Sequence, residues 1–186
     1  MSTPRIGFVP TRDPATGMVR DLPAAASTNQ SIAKGDAVAY LNGVIVPCTA
    51  GQDPGLAGYG VVLSVMTTAG RPLTFQDTKL IASGGVGRVT VCIDPDQTYY
   101  VQCVTSAGGT NMGKNVVINV SASNSRTGLS GMSVDIPASA SINDLFKVIN
   151  IAPFEELSGK GTGAGANNGV EVRWNRHLLR AVTAGQ

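Results

Sequence analysis

Asn42-Gly43 stands between two apolar runs, AVAYL and VIVP. Both central positions of a two-residue hairpin turn favour positive φ, and asparagine and glycine tolerate it best, so the stretch predicts paired strands at Asp36–Leu41 and Val44–Cys48. A chain that commits to a hairpin here needs further strands to bury its apolar face, because an isolated hairpin is marginal in water. The sequence supplies them.

GYGVVLSVMT gives an apolar, β-branched run over Tyr59–Thr67. Further runs follow at Gly87–Ile93, Thr98–Thr105, Lys114–Ala122, Ser130–Ile136 and Asp144–Pro153. Turn residues punctuate them at roughly the 8–12-residue spacing of β-sandwiches and barrels. The last strand, Asn168–Asn175, alternates Val170, Val172 and Trp174 against Glu171 and Arg173, which predicts one buried and one polar face. No heptad, internal repeat or long helical periodicity interrupts the pattern. The expected fold is all-β: an antiparallel β-barrel or β-sandwich body over 32–186, divisible into sub-blocks 32–80 and 81–186. Residues 1–31 contain Pro4, Pro10, Pro14 and Pro23 without apolar periodicity, and are expected to form an extended, largely irregular N-terminal arm that gains order on a partner.

Charged residues make up 14% of the 186 and the net charge is +2, far from the basic stripe that neutralising a phosphate backbone requires. No direct nucleic-acid contact is expected, and so sparse a charge points to surface that faces another protein. No run approaches the ~18 apolar residues of a membrane span, and MSTPRIGFVPTRDPATG lacks the apolar core of a signal peptide, so no membrane association is expected. Cys48, Cys92 and Cys103 are odd in number and form no CxxC pair, which argues against a disulfide framework or structural zinc and for buried small hydrophobes.

Several stretches invite a chemical reading. Asp94-Pro95-Asp96 has the spacing of a cation-binding pair, yet lacks the further oxygen ligands of a calcium loop and is read as a turn. With a turn centred there, Cys92 and Cys103 fall on adjacent strands, close enough for a bridge in an oxidising setting. GKGTGAGANNG, 159–169, has glycines like a phosphate loop, but Lys160 precedes Gly161 in mid-loop with no following helix, so a surface loop is the reading. His177, the only histidine, has no glycine-flanked nucleophile nearby and is read as a surface or interface residue. Arg173, Arg176 and Arg180 beside Trp174 read as an interface or solvated face. No catalytic, cofactor-binding or metal residue is assigned, no cofactor is expected, and no enzyme activity.

Taken in order, these segments resemble the head decoration, or cement, proteins of tailed bacteriophages. RIGFVPTRDPATG is similar to the family's opening motif, and KGDAVAYLNGVIVPCTAG, Lys34–Gly51, to its first hairpin. GYGVVLSVM, Arg71-Pro72 and DPDQTYYVQC resemble its next segments; SRTGLSGMSVDI, LFKVINIAP and NNGVEVRWNRHLLRA resemble its last three. In the closing motif Asn175 and His177 keep their places, while Arg176 stands where an asparagine is usual. The cysteines and the 159–169 loop also depart from the family pattern.

The resemblance implies a non-enzymatic structural virion protein, synthesised in the host cytoplasm and bound to the outer surface of the capsid. Its partners would be the major capsid protein and itself, as a homotrimer that bridges capsomer junctions and braces the shell against internal DNA pressure. The arm would carry much of that contact. The rival from another class is a head-fibre or tail-associated host-attachment module that binds carbohydrate; exposed aromatic platforms would mark it, with Tyr40, Tyr59, Tyr99, Tyr100 and Trp174 as candidates.

Overall fold

A computed structural model describes residues 7–15, 17–50, 57–66, 71, 80–139, 141–142, 144–151 and 168–180. Their regular secondary structure is almost entirely β, in two bodies. Five strands close into a barrel in the order β2-β4-β3-β5-β6: β2 (Val19–Ala25), β3 (Ala37–Leu41), β4 (Val44–Pro47), β5 (Gly58–Met66) and β6 (Val86–Cys92). The other strands are β1 (Val9–Pro10), β7 (Thr98–Gln102), β8 (Asn115–Asn119), β9 (Ser133–Asp135), β10 (Phe146–Ile151) and β11 (Gly169–Trp174). They form a six-stranded sheet in the order β1-β7-β11-β10-β8-β9.

The Asn42-Gly43 hairpin forms as read. Asn42 and Gly43 have φ of 49° and 87°, and Leu41 faces Val44 across the turn. In β3 the burial does not alternate: Ala37, Val38 and Ala39 are all buried. Val38 points into the barrel core with Ile45, Val62, Val89 and Val91, whereas Ala37 and Ala39 join Val61 in the core shared with the six-stranded sheet. A barrel wall covered on both faces loses the apolar–polar alternation of a half-exposed strand. Small side chains at 37 and 39 leave room there for Phe8, Tyr99, Phe146 and Trp174.

The N-terminal segment departs from the expected arm. From residue 7 onward it is built into the body. β2 pairs with β6 over seven residues, Val19↔Cys92 to Ala25↔Val86, and meets β4 in parallel through Ala24↔Ile45. The barrel is therefore not purely antiparallel, and β2 is the strand that closes it. Phe8 is buried in the sheet core, stacked on Phe146 at 4.6 Å. The proline-rich sequence hid this. Because β2 meets β4 through one pair only, most of that side is an edge, where Pro23 has no partner to lose. Residues 1–6 lie outside the described residues.

The chain passes from barrel to sheet at Asp94–Gln97, between β6 and β7, and not near residue 80 where the sub-blocks were divided. The cysteines follow from this. Cys92 on β6 and Cys103 after β7 belong to different bodies and not to neighbouring strands, so the expected adjacency does not form; all three cysteines are free and buried.

One buried carboxyl has a measurable consequence. Asp36 is 1% exposed, and its Oδ2 accepts the Ala33 N–H at 2.7 Å. Burial pushes its pKa up to about 7, with hydrogen bonds from Ser130 and Ala33 opposing the rise. Between about 4 and 7 the folded chain therefore holds more protons than the unfolded chain, and this group's contribution to stability falls as pH rises through that window. Asp36→Asn is expected to remove that slope and gain on wild type, by on the order of a few kcal/mol above pH 7. Denaturant unfolding of both proteins from pH 4 to 8 reads the difference; parallel profiles would contradict it.

Candidate functional site

The residues singled out in the sequence converge where barrel and sheet meet, at the C-terminal end of β11. Gly58, the first residue of β5, lies against the Trp174 indole so closely that a Cβ at this position would overlap the ring. Trp174 stacks on Phe146 at 4.1 Å and meets Tyr99 edge-on at 6.4 Å. Beyond Trp174 the chain turns. The Asn175 and Arg176 N–H groups donate to the Leu145 carbonyl at 2.8 and 3.2 Å, and Asn175 Nδ2 donates to the carbonyls of Ile142 and Asp144 at 3.1 and 3.0 Å. Asn175 thus ties the end of β11 to the loop before β10.

His177 performs the matching task on the other side. It is 1% exposed, which corrects the reading of a surface histidine, although it does sit at an internal interface between the two bodies. It pairs with Gly58 in a short parallel bridge, and the following Leu178 N–H donates to the Gly58 carbonyl at 2.8 Å. Its ring stacks on Tyr59 at 6.4 Å and meets Trp174 edge-on at 5.4 Å. Nδ1 accepts the Leu179 N–H at 3.2 Å, which fixes the neutral tautomer with its proton on Nε2. Nε2 lies beside the Tyr59 backbone but makes no hydrogen bond of good geometry among the described residues. Burial lowers the pKa to about 4, so the ring is neutral at pH 7.

Asp94-Pro95-Asp96 is a turn. Asp94 Oδ1 accepts the Asp96 N–H at 2.8 Å, and the Asp94 carbonyl accepts the Gln97 N–H at 3.3 Å. Its second carboxylate serves this same joint: Asp96 pairs with Arg180, whose Nη1 also donates to the Trp174 carbonyl at 3.3 Å. Arg180 therefore clasps the C-terminal turn to the barrel-to-sheet crossing. Arg173 is exposed, and Arg176 and Arg180 are half-buried. Among the described residues no group of three or more His, Cys, Asp or Glu side chains is placed to hold a metal. The Lys160 loop lies outside the described residues, apart from 168–169.

Nδ1 of His177 is occupied, and burial pushes the thiol of Cys48 up to about 12 and that of Cys103 upward as well. What the joint does is present apolar surface. Tyr40, at 40% exposure, packs on half-buried Tyr59 at 5.2 Å; Leu178 and Leu179, at 51% and 53%, project from the turn that His177 anchors beside Tyr59. Leu41, beside Tyr40 at the hairpin end, is also exposed. Of the aromatic candidates, Tyr99 and Trp174 are buried, and Tyr59 and Tyr100 are half-buried. Reasoning from sequence missed Leu178 and Leu179. Two adjacent leucines just beyond an alternating strand, with no continuing periodicity to bury them, were the available signal.

No helix among the described residues is long and apolar enough to cross a membrane. No protein-family model matches the chain, and no characterised protein matches it significantly.

Proposed function

We propose that the protein is a non-enzymatic assembly protein that decorates a tailed-bacteriophage head, binding the outer capsid surface and its own copies, as a trimer, through the apolar face at the barrel–sheet joint. The observation that carries this reading is the exposure of Leu178 and Leu179, next to a His177 that stacks on Tyr59, and of Tyr40, which packs on the same Tyr59, on a chain with only 14% charged residues. Contiguous exposed apolar side chains on a well-packed body mark contact surfaces. The resemblance of its ordered segments to head decoration proteins supplies the partner, the major capsid protein. The joint is a suitable platform because buried His177, stacked on Tyr59 and edge-on to Trp174, anchors the turn that carries the leucines.

A body that binds the assembled lattice and not separated subunits stabilises the shell by mass action. The double variant Leu178→Asp/Leu179→Asp tests the reading. It is expected to unfold within ~0.5 kcal/mol of wild type, since the replaced side chains are exposed, yet to lose at least tenfold in affinity for undecorated heads. Co-sedimentation with heads and light scattering of the free protein provide the two measurements. Failure of the wild type to bind heads would overturn the capsid assignment, and unchanged binding by the variant would remove the leucines from the interface.

A further inference from the structure

We infer that His177 is a proton-operated pin: neutral, it holds the turn 177–180 against the barrel and presents Leu178 and Leu179; protonated, it frees that turn while barrel and sheet stay folded. The inference concerns the chain itself and does not depend on what the leucines bind.

The geometry separates the two protonation states. Neutral His177 accepts the Leu179 N–H at Nδ1, and this bond is what curls the chain back over the ring. A second proton must go to Nδ1, the accepting atom, so that two N–H groups then face each other and the bond is lost. The imidazolium would also be held in a site 1% open to water, between Tyr59 of β5 and Trp174 of β11. Charged and titratable groups face the ring from each neighbouring element. Tyr59 comes from β5, Arg180 from the turn itself, and Asp94 and Asp96 from the barrel-to-sheet crossing. Burial is the largest influence and disfavours the charged ring; Arg180 adds to it, and the Tyr59 backbone and the two aspartates oppose it more weakly. A pKa lowered in the pinned state means that the pin holds fully above about 6.5 and is lost as pH falls toward 4.

Release is confined to the turn because its remaining contacts lie at its two ends. Beyond His177, the Leu178 N–H bond to Gly58 and the Arg180 contacts to Asp96 and Trp174 remain, while Leu178 and Leu179 are exposed. Segments with few buried apolar contacts open at a fraction of the global unfolding free energy. Neither apolar cluster includes Leu178, Leu179 or Arg180; of the turn only His177 is buried, against Tyr59 and Trp174.

Wild-type protein in a pH titration from 7.5 to 3.5 tests the pin. NMR follows the His177 imidazole and the Leu178 and Leu179 amides, the fluorescence of Trp174, the only tryptophan, reports locally, and far-UV circular dichroism reports the fold. The expected result is an imidazole midpoint at least one pH unit below 6.5, with both amides losing protection and Trp174 emission changing at that midpoint, while circular dichroism is unchanged. An imidazole midpoint near 6.5, amides that stay protected while the ring titrates, or loss of circular dichroism at the same midpoint would each overturn it. Asp96→Asn distinguishes the pin from the ion pair: the transition persists if the histidine operates it, and its disappearance would assign it to the carboxylate and overturn the proposal.

Discussion

A chain that starts at Ser27 is expected not to reach a cooperative folded state. Removing 1–26 takes away β2, and with it the seven-residue ladder to β6 and the closure of the barrel. It also takes Ala24 and Ala26 from the barrel core and Phe8 from the sheet core. Truncating a buried phenylalanine alone typically costs 3–5 kcal/mol, and domains of this size hold only about 5–15 kcal/mol in total. With β2 gone, β6 exposes a full-length new edge, so aggregation is the expected fate of the truncated chain. Thermal unfolding followed by circular dichroism would show no sigmoidal transition for it, and a normal one for the full chain. A cooperative transition from the shorter chain would restore the picture of a detachable arm. The result governs how capsid contact is tested: loss of head binding on removal of the whole N-terminal segment would report unfolding, whereas the Leu178 and Leu179 substitutions act on the surface.

The strands from Asp36 onward were legible because local chemistry and tertiary demand agree there. β-Branched runs are bounded by turn residues, and Asn42-Gly43 selects its own backbone conformation. β11 was the clearest case, with Val170, Val172 and Trp174 buried on one face. β2 was hidden because Arg20, Asp21 and Pro23 occupy exposed positions, leaving only Leu22 and Ala24 to carry a weak inward pattern. The crossing at Asp94–Asp96 was correctly read as a turn and misread as a hairpin, since a turn sequence specifies its own backbone and not which sheet the next strand joins. Of the two readings of His177, surface or interface, the first failed for a related reason. A histidine among arginines looks solvated, and only the approach of Gly58 and Tyr59 from a distant strand makes its site dry.

Gly58→Ala is expected to be among the most damaging single-methyl additions in the protein. Backbone conformation is not the cause; the added Cβ collides with the face of Trp174. That ring is held by Phe146 and Tyr99 on its other sides, so it cannot swing away without disturbing the sheet core. Overpacking of this kind costs about 1–3 kcal/mol. The same displacement pulls the Gly58 carbonyl from Leu178 N–H and shifts the site of His177. Trp174→Ala removes the ring and is expected to cost about 3–5 kcal/mol through the cavity it leaves. The two losses should not add, because in the double variant the colliding ring is absent and the alanine methyl enters vacated space. A double-mutant cycle by denaturant unfolding should therefore give a favourable coupling of roughly 1–2 kcal/mol between positions 58 and 174. Additive losses would mean that Gly58 answers to another neighbour and that the barrel and sheet are joined elsewhere. A favourable coupling would identify this contact as a link between the two bodies and the support on which the exposed leucines rest.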